Sequence, residues 1–386
     1  MVLHAFFPTY GGGHVKSVIP VIKRLNECGH NVEILGLTNS VVELSKAKLN
    51  YTNLSNYAYL FSKQEQDIII ELGQLALIGS AGMLVDTESV WYHGIGLYEL
   101  CKSVGEKDAF TAYRNQGRKA FLPKGFALKV LRSIKPDFVF VTCGQRLELA
   151  FAYAANELAI PVFRLIDLVG YPAKVDYKAT MLVGNEYTKK ILLEALQLRN
   201  EIIVTGNPNF EHSSKVTTFS SDICVTYFSQ PGLKDRNSVL AAFGLLLNKQ
   251  AKLKFTYKPH PSENLDDIDE INSLIEINKD QDANELIAKS DLVITHFSSV
   301  GFQAINQNKK LLIINFESKI FPIDFVSMGC AKVASSVNEL ISLLVNFTDE
   351  KKVCFDAQIS NYPRFQQPSS ATEKVVDTIF ESFKGI

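Results

Sequence analysis

Short continuous apolar runs alternate along most of this chain with stretches whose apolar residues recur at helical spacing. A run without polar alternation reads as a parallel strand covered on both faces, and a period of about 3.6 reads as a helix packed on one side. Val2 to Phe7 is the first run. Tyr10-Gly-Gly-Gly-His14 turns the chain, and Val15, Val18, Ile19, Ile22 and Leu25 then mark one helical face. That helix runs to Cys28-Gly29, where glycine accepts the left-handed cap. Val32 to Leu37 is the next strand and completes a βαβ unit with a glycine-rich crossover.

Residues from about Val41 to Gly125 break this rhythm with helical patterns, no clean strand, and many aromatics: Tyr57, Tyr59, Phe61, Trp91, Tyr92, Tyr98, Phe110 and Tyr113. The pattern predicts a helical insertion over the mouth of the first domain, with the aromatics as its core. A binding or membrane-facing surface is their competing use. Strand and helix then alternate again, with strands over Phe138 to Thr142, Ile160 to Ile166, Thr180 to Val183 and Ile202 to Thr205. Helices are expected over Leu147 to Leu158 and Glu186 to Leu196. Gly206-Asn-Pro208 interrupts the alternation, and the polar stretch Ser213 to Ser221 is the expected linker.

The second half repeats the scheme, with strands over Ile223 to Phe228, Leu253 to Tyr257, Leu292 to Thr295, Leu311 to Asn315 and Ala331 to Ala334. Ala371 to Phe383 is a terminal amphipathic helix. The expected fold class is α/β, with two doubly wound Rossmann-like domains facing across a cleft. The first domain spans 1–208 with its insertion at about 41–125, the second 209–365, and a C-terminal helix lies within 366–386.

A chain of 386 residues suits two such domains. With 46% apolar and 21% charged residues it is globular in composition rather than disordered. The net charge of −1 gives no bulk attraction to nucleic acid. Six scattered cysteines without a CxxC pair read as reduced thiols of a cytoplasmic protein. The apolar N-terminus is short, lacks a basic region and meets Pro8, so it reads as a strand rather than a signal peptide. No apolar run approaches the ~18 residues of a membrane span.

Ligands of open parallel sheets bind beyond the strands' carboxyl ends, so the turns there hold the candidate chemistry. Gly12 and Gly13 let a ligand approach the backbone at a helix start, where free N–H groups favour anions. The dinucleotide fingerprint is not completed, because Lys16 stands where its third glycine belongs and Leu37-Thr38-Asn39 lacks the acidic residue. A Walker A sequence and a G-x-S-x-G elbow are also absent. His14 is the candidate general base, expected to be kept neutral by the helix dipole; its rivals are Asp86, Glu88, Glu106 and Asp108.

In the second half, Lys258-Pro-His-Pro261 ends a strand with a cation and a histidine held extended between two prolines. Lys258 and His260 suit a phosphate. Ser290-Asp-Leu-Val-Ile-Thr-His-Phe-Ser-Ser299 ends a second strand in paired hydroxyls at a helix start, a further phosphate-binding arrangement. Gln303 and Glu317 are candidates to reach the same pocket, Glu317 toward ribose hydroxyls, whereas His296 is expected to be structural. His4, His30, His93 and His212 show no metal-like spacing, so no metal site is expected.

Tyr10-Gly-Gly-Gly-His14 resembles the glycine-rich, histidine-ended turn of GT-B glycosyltransferases such as the peptidoglycan UDP-GlcNAc transferase. Lys135-Pro-Asp-Phe-Val-Phe-Val, Ala-Ile-Pro161 and Ile203-Val-Thr-Gly-Asn-Pro208 resemble stretches of the non-hydrolysing UDP-GlcNAc 2-epimerases. The two C-terminal motifs are similar to the His-Pro and Ser-Ser motifs of bacterial sialyltransferases, Kdo transferases and teichoic-acid glycerophosphotransferases. Those families use cytidine-activated donors. The chain departs from the epimerases at Cys143-Gly-Gln-Arg146 and Phe228-Ser-Gln-Pro231, where they carry acidic and His-Arg turns. It departs from the teichoic-acid enzymes at His296, where they carry an aspartate.

The resemblance implies a metal-independent, inverting glycosyltransferase of surface-polysaccharide synthesis that needs no cofactor beyond its nucleotide-sugar donor. The donor is expected to be a CMP-linked acidic sugar or a UDP-sugar, held by the second domain. The first domain would take a glycan or lipid-linked acceptor, which leaves peripheral association with the inner face of a membrane open. The alternatives are a UDP-GlcNAc 2-epimerase-like epimerase or hydrolase and a non-catalytic nucleotide-sugar-binding subunit. Oligomeric state has no signature in the sequence.

Overall fold

A computed structural model describes residues 1–78, 86–142, 145–167, 175–195, 200–211, 222–232, 234–248, 252–260, 262–263, 265, 273–349 and 355–384. Its strands form two parallel six-stranded sheets. The first contains β1 (His4–Tyr10), β2 (Asn31–Leu37), β3 (Phe138–Val141), β4 (Val162–Ile166), β5 (Thr180–Val183) and β6 (Ile202–Val204), in the order β2-β1-β3-β4-β5-β6. The second contains β7 (Ile223–Phe228), β8 (Leu253–Lys258), β9 (Ile275–Ile277), β10 (Leu292–Thr295), β11 (Lys310–Ile314) and β12 (Lys332–Ala334), in the order β12-β11-β10-β7-β8-β9. Strand order reverses between β1 and β3 and between β7 and β10, which opens a crevice at the carboxyl edge of each sheet.

The first sheet is covered by α1 (Gly12–Glu27), α2 (Ser40–Lys46), α3 (Lys63–Leu77), α4 (Thr87–Val104), α5 (Glu106–Gln116), α6 (Lys124–Ile134), α7 (Arg146–Glu157) and α8 (Glu186–Ala195). The second carries α9 (Arg236–Leu247), α10 (Ala283–Lys289), α11 (Val300–Asn306), α12 (Val337–Asp349) and α13 (Asp356–Ile359), and α14 (Ala371–Phe383) ends the chain. Both faces of both sheets are sealed by apolar clusters. This is why their strands read as unbroken apolar runs. β9 escaped the sequence reading because only Ile275 is buried there, while Glu276 and Ile277 face solvent at the sheet edge.

The insertion is helical, and most of its aromatics are core. Tyr57, Phe61, Trp91, Tyr92 and Tyr98 pack with Phe126 and Phe151, whereas Tyr59 is exposed. α3 and α4 approach backbone to backbone. A Cβ at Gly73 would stand 2.1 Å from the Val90 carbonyl oxygen, and one at Gly94 would stand 2.0 Å from that of Ile69.

The chain crosses between the sheets twice. After β6 it passes Asn207 and Phe210 into the second half; after α13 it returns past Phe365 and Gln367. The crossings are stitched together by Gln367, which accepts from the Asn207 N–H at 2.8 Å and donates to the Asn207 carbonyl at 3.2 Å. α14 then packs on the first sheet, with Val375, Val376 and Ile379 buried among residues of β1, α1 and β3. Arg24 holds Glu373 at 2.9 Å. The expected linker residues 213–221 lie outside the described residues.

Gly206 has φ +90°, and a Cβ there would stand 2.7 Å from Cβ of Ala371. Gly206→Ala combines a disfavoured backbone with a collision at the start of α14. It should destabilise the protein by at least about 1 kcal/mol, read as a lowered urea midpoint.

Candidate active site

β1 ends at Tyr10, and Gly11, with φ +65°, swings the chain directly into α1. The helix begins at Gly12, earlier than the apolar periodicity indicated, so Gly12, Gly13 and His14 form its first turn. N–H groups of a first turn lack helical acceptors. A Cβ at Gly13 would meet nothing within 4 Å, so the space over this turn is open.

His14 Nδ1 lies 2.6 Å from Asp167 Oδ2, and Asp167 is buried directly after β4. Nε2 has no hydrogen-bond partner among the described residues. The pair sits on a buried polar base: Glu148 of α7 accepts from the Thr142 N–H at 2.7 Å, and Arg164 of β4 donates Nε to the Thr142 carbonyl at 3.3 Å.

Burial pulls the His14 pKa down, but the Asp167 hydrogen bond and charge, with help from Glu148, outweigh it and the opposing Arg164. The net direction is up from 6.5. This corrects the helix-dipole expectation: a carboxylate in direct contact has more leverage than the partial charge of a helix end. With Asp167 accepting from Nδ1–H, Nε2 is the atom left to take a proton.

Beside this turn, Arg146 Nη1 donates to the Tyr10 hydroxyl at 2.7 Å, and Tyr10 meets the Tyr92 hydroxyl at 3.0 Å. The other proposed bases have structural uses. Asp86 caps α4, Glu88 caps the two-turn 3-10 helix Leu54–Leu60, and Glu106 and Asp108 are exposed in the first turn of α5.

In the second domain the tips of β8, β7 and β10 lie side by side, and hydrogen bonds link them. His260 is exposed. Its backbone N–H donates to Glu263 at 2.6 Å, and Glu263 also accepts from Ser229, which follows β7, and pairs with Arg236 at 3.3 Å. His260 Nδ1 accepts from the Ser262 N–H at 3.2 Å, which leaves the proton on Nε2. Pro261 lies outside the described residues. Lys258 donates Nζ to the Lys279 carbonyl. Burial lowers its pKa and Lys16 lowers it further, against Asp280 and Asp282.

On the β10 side, Phe297 N–H donates to Gln230 Oε1 at 2.9 Å, and Ser298 Oγ accepts from the Val300 N–H at 3.3 Å. Ser299 is the cap residue of α11, but its side chain makes no capping bond. Gln303 is buried in α11, and its Oε1 has no partner among the described residues. Glu317, on the turn after β11, is paired with Lys319, which holds its carboxyl below the usual range. His296 is buried, with Nδ1 donating to the Ile314 carbonyl and Nε2 accepting from the Tyr227 hydroxyl, each at 3.0 Å. It props the tip from beneath.

The two domains touch at the start of α1. Lys16, two residues beyond His14, reaches Asp282 of the second domain at 3.3 Å. Its charge is felt at Lys258. The structure thus joins the starts of α1 and α10, with Lys258 at the end of β8 within range of the Lys16 charge. Sequence reasoning reached Asp167 only as the neighbour of Ile166, which stands at an acidic position of the epimerases, and missed Glu263 and the role of Lys16. Asp167 had a usable signal, an acidic residue directly after a buried strand; Glu263 had none until the fold turned it back toward His260.

Residues 240–381 match the family described as CDP-glycerol:poly(glycerophosphate) glycerophosphotransferase. No curated protein sequence matches the chain. Among solved structures, it is similar to a co-structure of S. aureus MnaA with UDP, at 15% identity and TM-score 0.64 over 100% of this chain and 98% of that one. A UDP-GlcNAc 2-epimerase from Neisseria meningitidis bound to UDP-GlcNAc aligns at 14% identity and TM-score 0.60, over 99% of this chain and 100% of that one. The glycosyltransferase SnogD from Streptomyces nogalater aligns at 14% identity and TM-score 0.58, over 98% of this chain and 100% of that one. At such identities the likeness is one of fold, the two-domain GT-B arrangement of α/β sheets. Among the described residues no helix is long and apolar enough to cross a membrane.

Asp167→Asn should move the His14 titration, followed by NMR, to lower pH, because burial remains while the opposing charge is gone. The wild-type pair contributes stability that is full below the unfolded value near about 6.5 and lost as pH rises through the raised folded value. Unfolding free energies of Asp167→Asn should lack that loss.

Proposed function

We propose that the protein is a transferase that moves a sugar from a nucleotide-activated donor to a hydroxyl of a glycan or lipid-linked acceptor, as a step in surface-polysaccharide synthesis. The observation that carries this reading is the Lys16–Asp282 contact, which joins the helix start bearing His14 to the cap of α10, close enough to the end of β8 for both charges to act on Lys258. On this reading a proton acceptor and a set of phosphate-type donors share one cleft.

In the proposed reaction the acceptor hydroxyl attacks the anomeric carbon of the donor. Nε2 of His14 takes the hydroxyl proton as the new C–O bond forms, and Asp167 stabilises the resulting imidazolium. The bond from the anomeric carbon to the phosphate oxygen breaks on the opposite side, and the nucleotide leaves with the electron pair. Lys258, Nε2–H of His260 and the hydroxyls of Ser298 and Ser299 are suited to the charge that develops on the phosphate. The backbone of Gly12 and Gly13, open at Gly13, is assigned to the same phosphate, and Gln303 and Glu317 to the nucleoside end. With Lys258 and His260 at the phosphate, the proposal needs no metal ion. Closure of the domains would exclude water, which competes with the acceptor.

The donor is proposed to be cytidine-activated. This is supported by the His-Pro and Ser-Ser motifs and by the family match over residues 240–381. The same match favours a second reading, in which a glycerophosphoryl group is transferred from CDP-glycerol with the attack at phosphorus. His14 would serve that reaction in the same way, so donor identity, not the base, separates the two.

Calorimetric titration with CMP, CDP and UDP tests the donor side. His260→Ala should weaken the preferred nucleotide by about 10-fold or more, the scale of one hydrogen bond to a charged group. Unchanged affinity for all three would remove the assignment. Turnover of UDP-GlcNAc without acceptor would favour an epimerase or hydrolase instead. Transfer rates in excess EDTA should equal those without it.

A further inference from the structure

The helical insertion encloses a cavity of about 390 Å³ at the carboxyl end of β2, with Thr38, Asn39, Ser89, Tyr92, His93 and Arg118 in its wall. The volume falls within the about 300–1,000 Å³ of small-molecule sites. Its two carboxylates are already committed. Asp86 accepts from the Ser89 N–H at 2.6 Å, and Glu88 takes the N–H groups of Leu54 and Ser55 at 2.8 and 3.3 Å.

Arg118 differs from both. It is half-buried in the single-turn helix Gly117–Ala120, yet among the described residues its guanidinium has no hydrogen bond and no ion pair. Its charge nevertheless acts on the cavity wall: it adds to the burial that depresses the His93 pKa, and it opposes the burial that raises that of Tyr92. A guanidinium drawn partly out of water without a counter-charge carries an uncompensated desolvation cost, and its planar fork fits a carboxylate or phosphate.

The cavity also adjoins the proposed chemistry. Tyr92 in its wall meets the Tyr10 hydroxyl at 3.0 Å, and Tyr10 leads into the turn that ends at His14.

We infer that this cavity binds an anionic substituent, a phosphate or a carboxylate, of the acceptor, with Arg118 as its partner. The inference rests on the transferase reading and names the chemistry of its acceptor end. Binding, unlike turnover, can be measured without a donor, so the two can fail separately.

The test is calorimetric titration of the intact chain with glycerol 3-phosphate, with N-acetylneuraminic acid, and with neutral N-acetylglucosamine. At least one acidic probe should bind at least tenfold more tightly than the neutral one, and which of them does so separates phosphate from carboxylate. Arg118→Gln should weaken that probe by about 10- to 100-fold, Arg118→Lys by less, and Arg114→Gln, exposed on α5, not at all. Affinity for CMP or UDP should be the same in all of them. Should Arg118→Gln fail to fold, Asn39→Leu, which puts an apolar side chain in the same wall, carries the test with an expected loss of at least tenfold. Failure of both acidic probes to bind at millimolar concentration would overturn the inference, as would wild-type affinity in folded Arg118 and Asn39 variants. Neither result would touch the donor side.

Discussion

The contact between His14 and Asp167 bridges one strand of the first sheet. His14 follows β1, Asp167 follows β4, and β3 runs between those strands. For the two side chains to meet at 2.6 Å, the loops after β1 and β4 must lean toward each other over the end of β3. Glu148 and Arg164 secure that end by bonding the backbone of Thr142. Buried charges of this kind add little to net stability, because desolvation offsets their attraction. What they contribute here is position. They hold a carboxylate against one imidazole nitrogen and leave the other toward the cleft.

The second sheet solves a related problem mostly with tyrosine and hydroxyl groups, together with one buried ion pair, Arg236–Glu263. Tyr227, Tyr257 and Ser229 fill the space under the tips of β7 and β8, and His296 ties the tip of β10 to the Tyr227 hydroxyl. Burial depresses the His296 pKa, so the neutral form with Nδ1–H on the Ile314 carbonyl is favoured. Exposed His260 and the half-buried Lys258, Ser298 and Ser299 stand above it, with the buried Arg236–Glu263 pair beside them.

The fold was largely legible in the sequence, because parallel strands sealed on both sides leave unbroken apolar runs. β9 was lost because an edge strand with one buried residue leaves no such run. The glycine turn, the His-Pro tip and the paired serines could be read because turns at strand ends have a restricted chemistry. Partners brought together by tertiary packing could not. Asp167 lies 153 positions from His14, and Asp282 lies 266 from Lys16. The sign of the His14 pKa shift was misjudged for the same reason, since a helix end is visible in a sequence and a distant carboxylate is not.

The double crossing between the halves has a mechanical meaning. A lobe tethered by one strand can swivel about that strand. Here two neighbouring tethers, clasped by Gln367, leave a single easy axis running through both, like paired pins in a clasp knife. Because α14 lies on the far lobe from the segment that delivers it, the end of the chain straps across that axis. Motion about the pins would break and remake the Lys16–Asp282 contact, which is closed here at 3.3 Å.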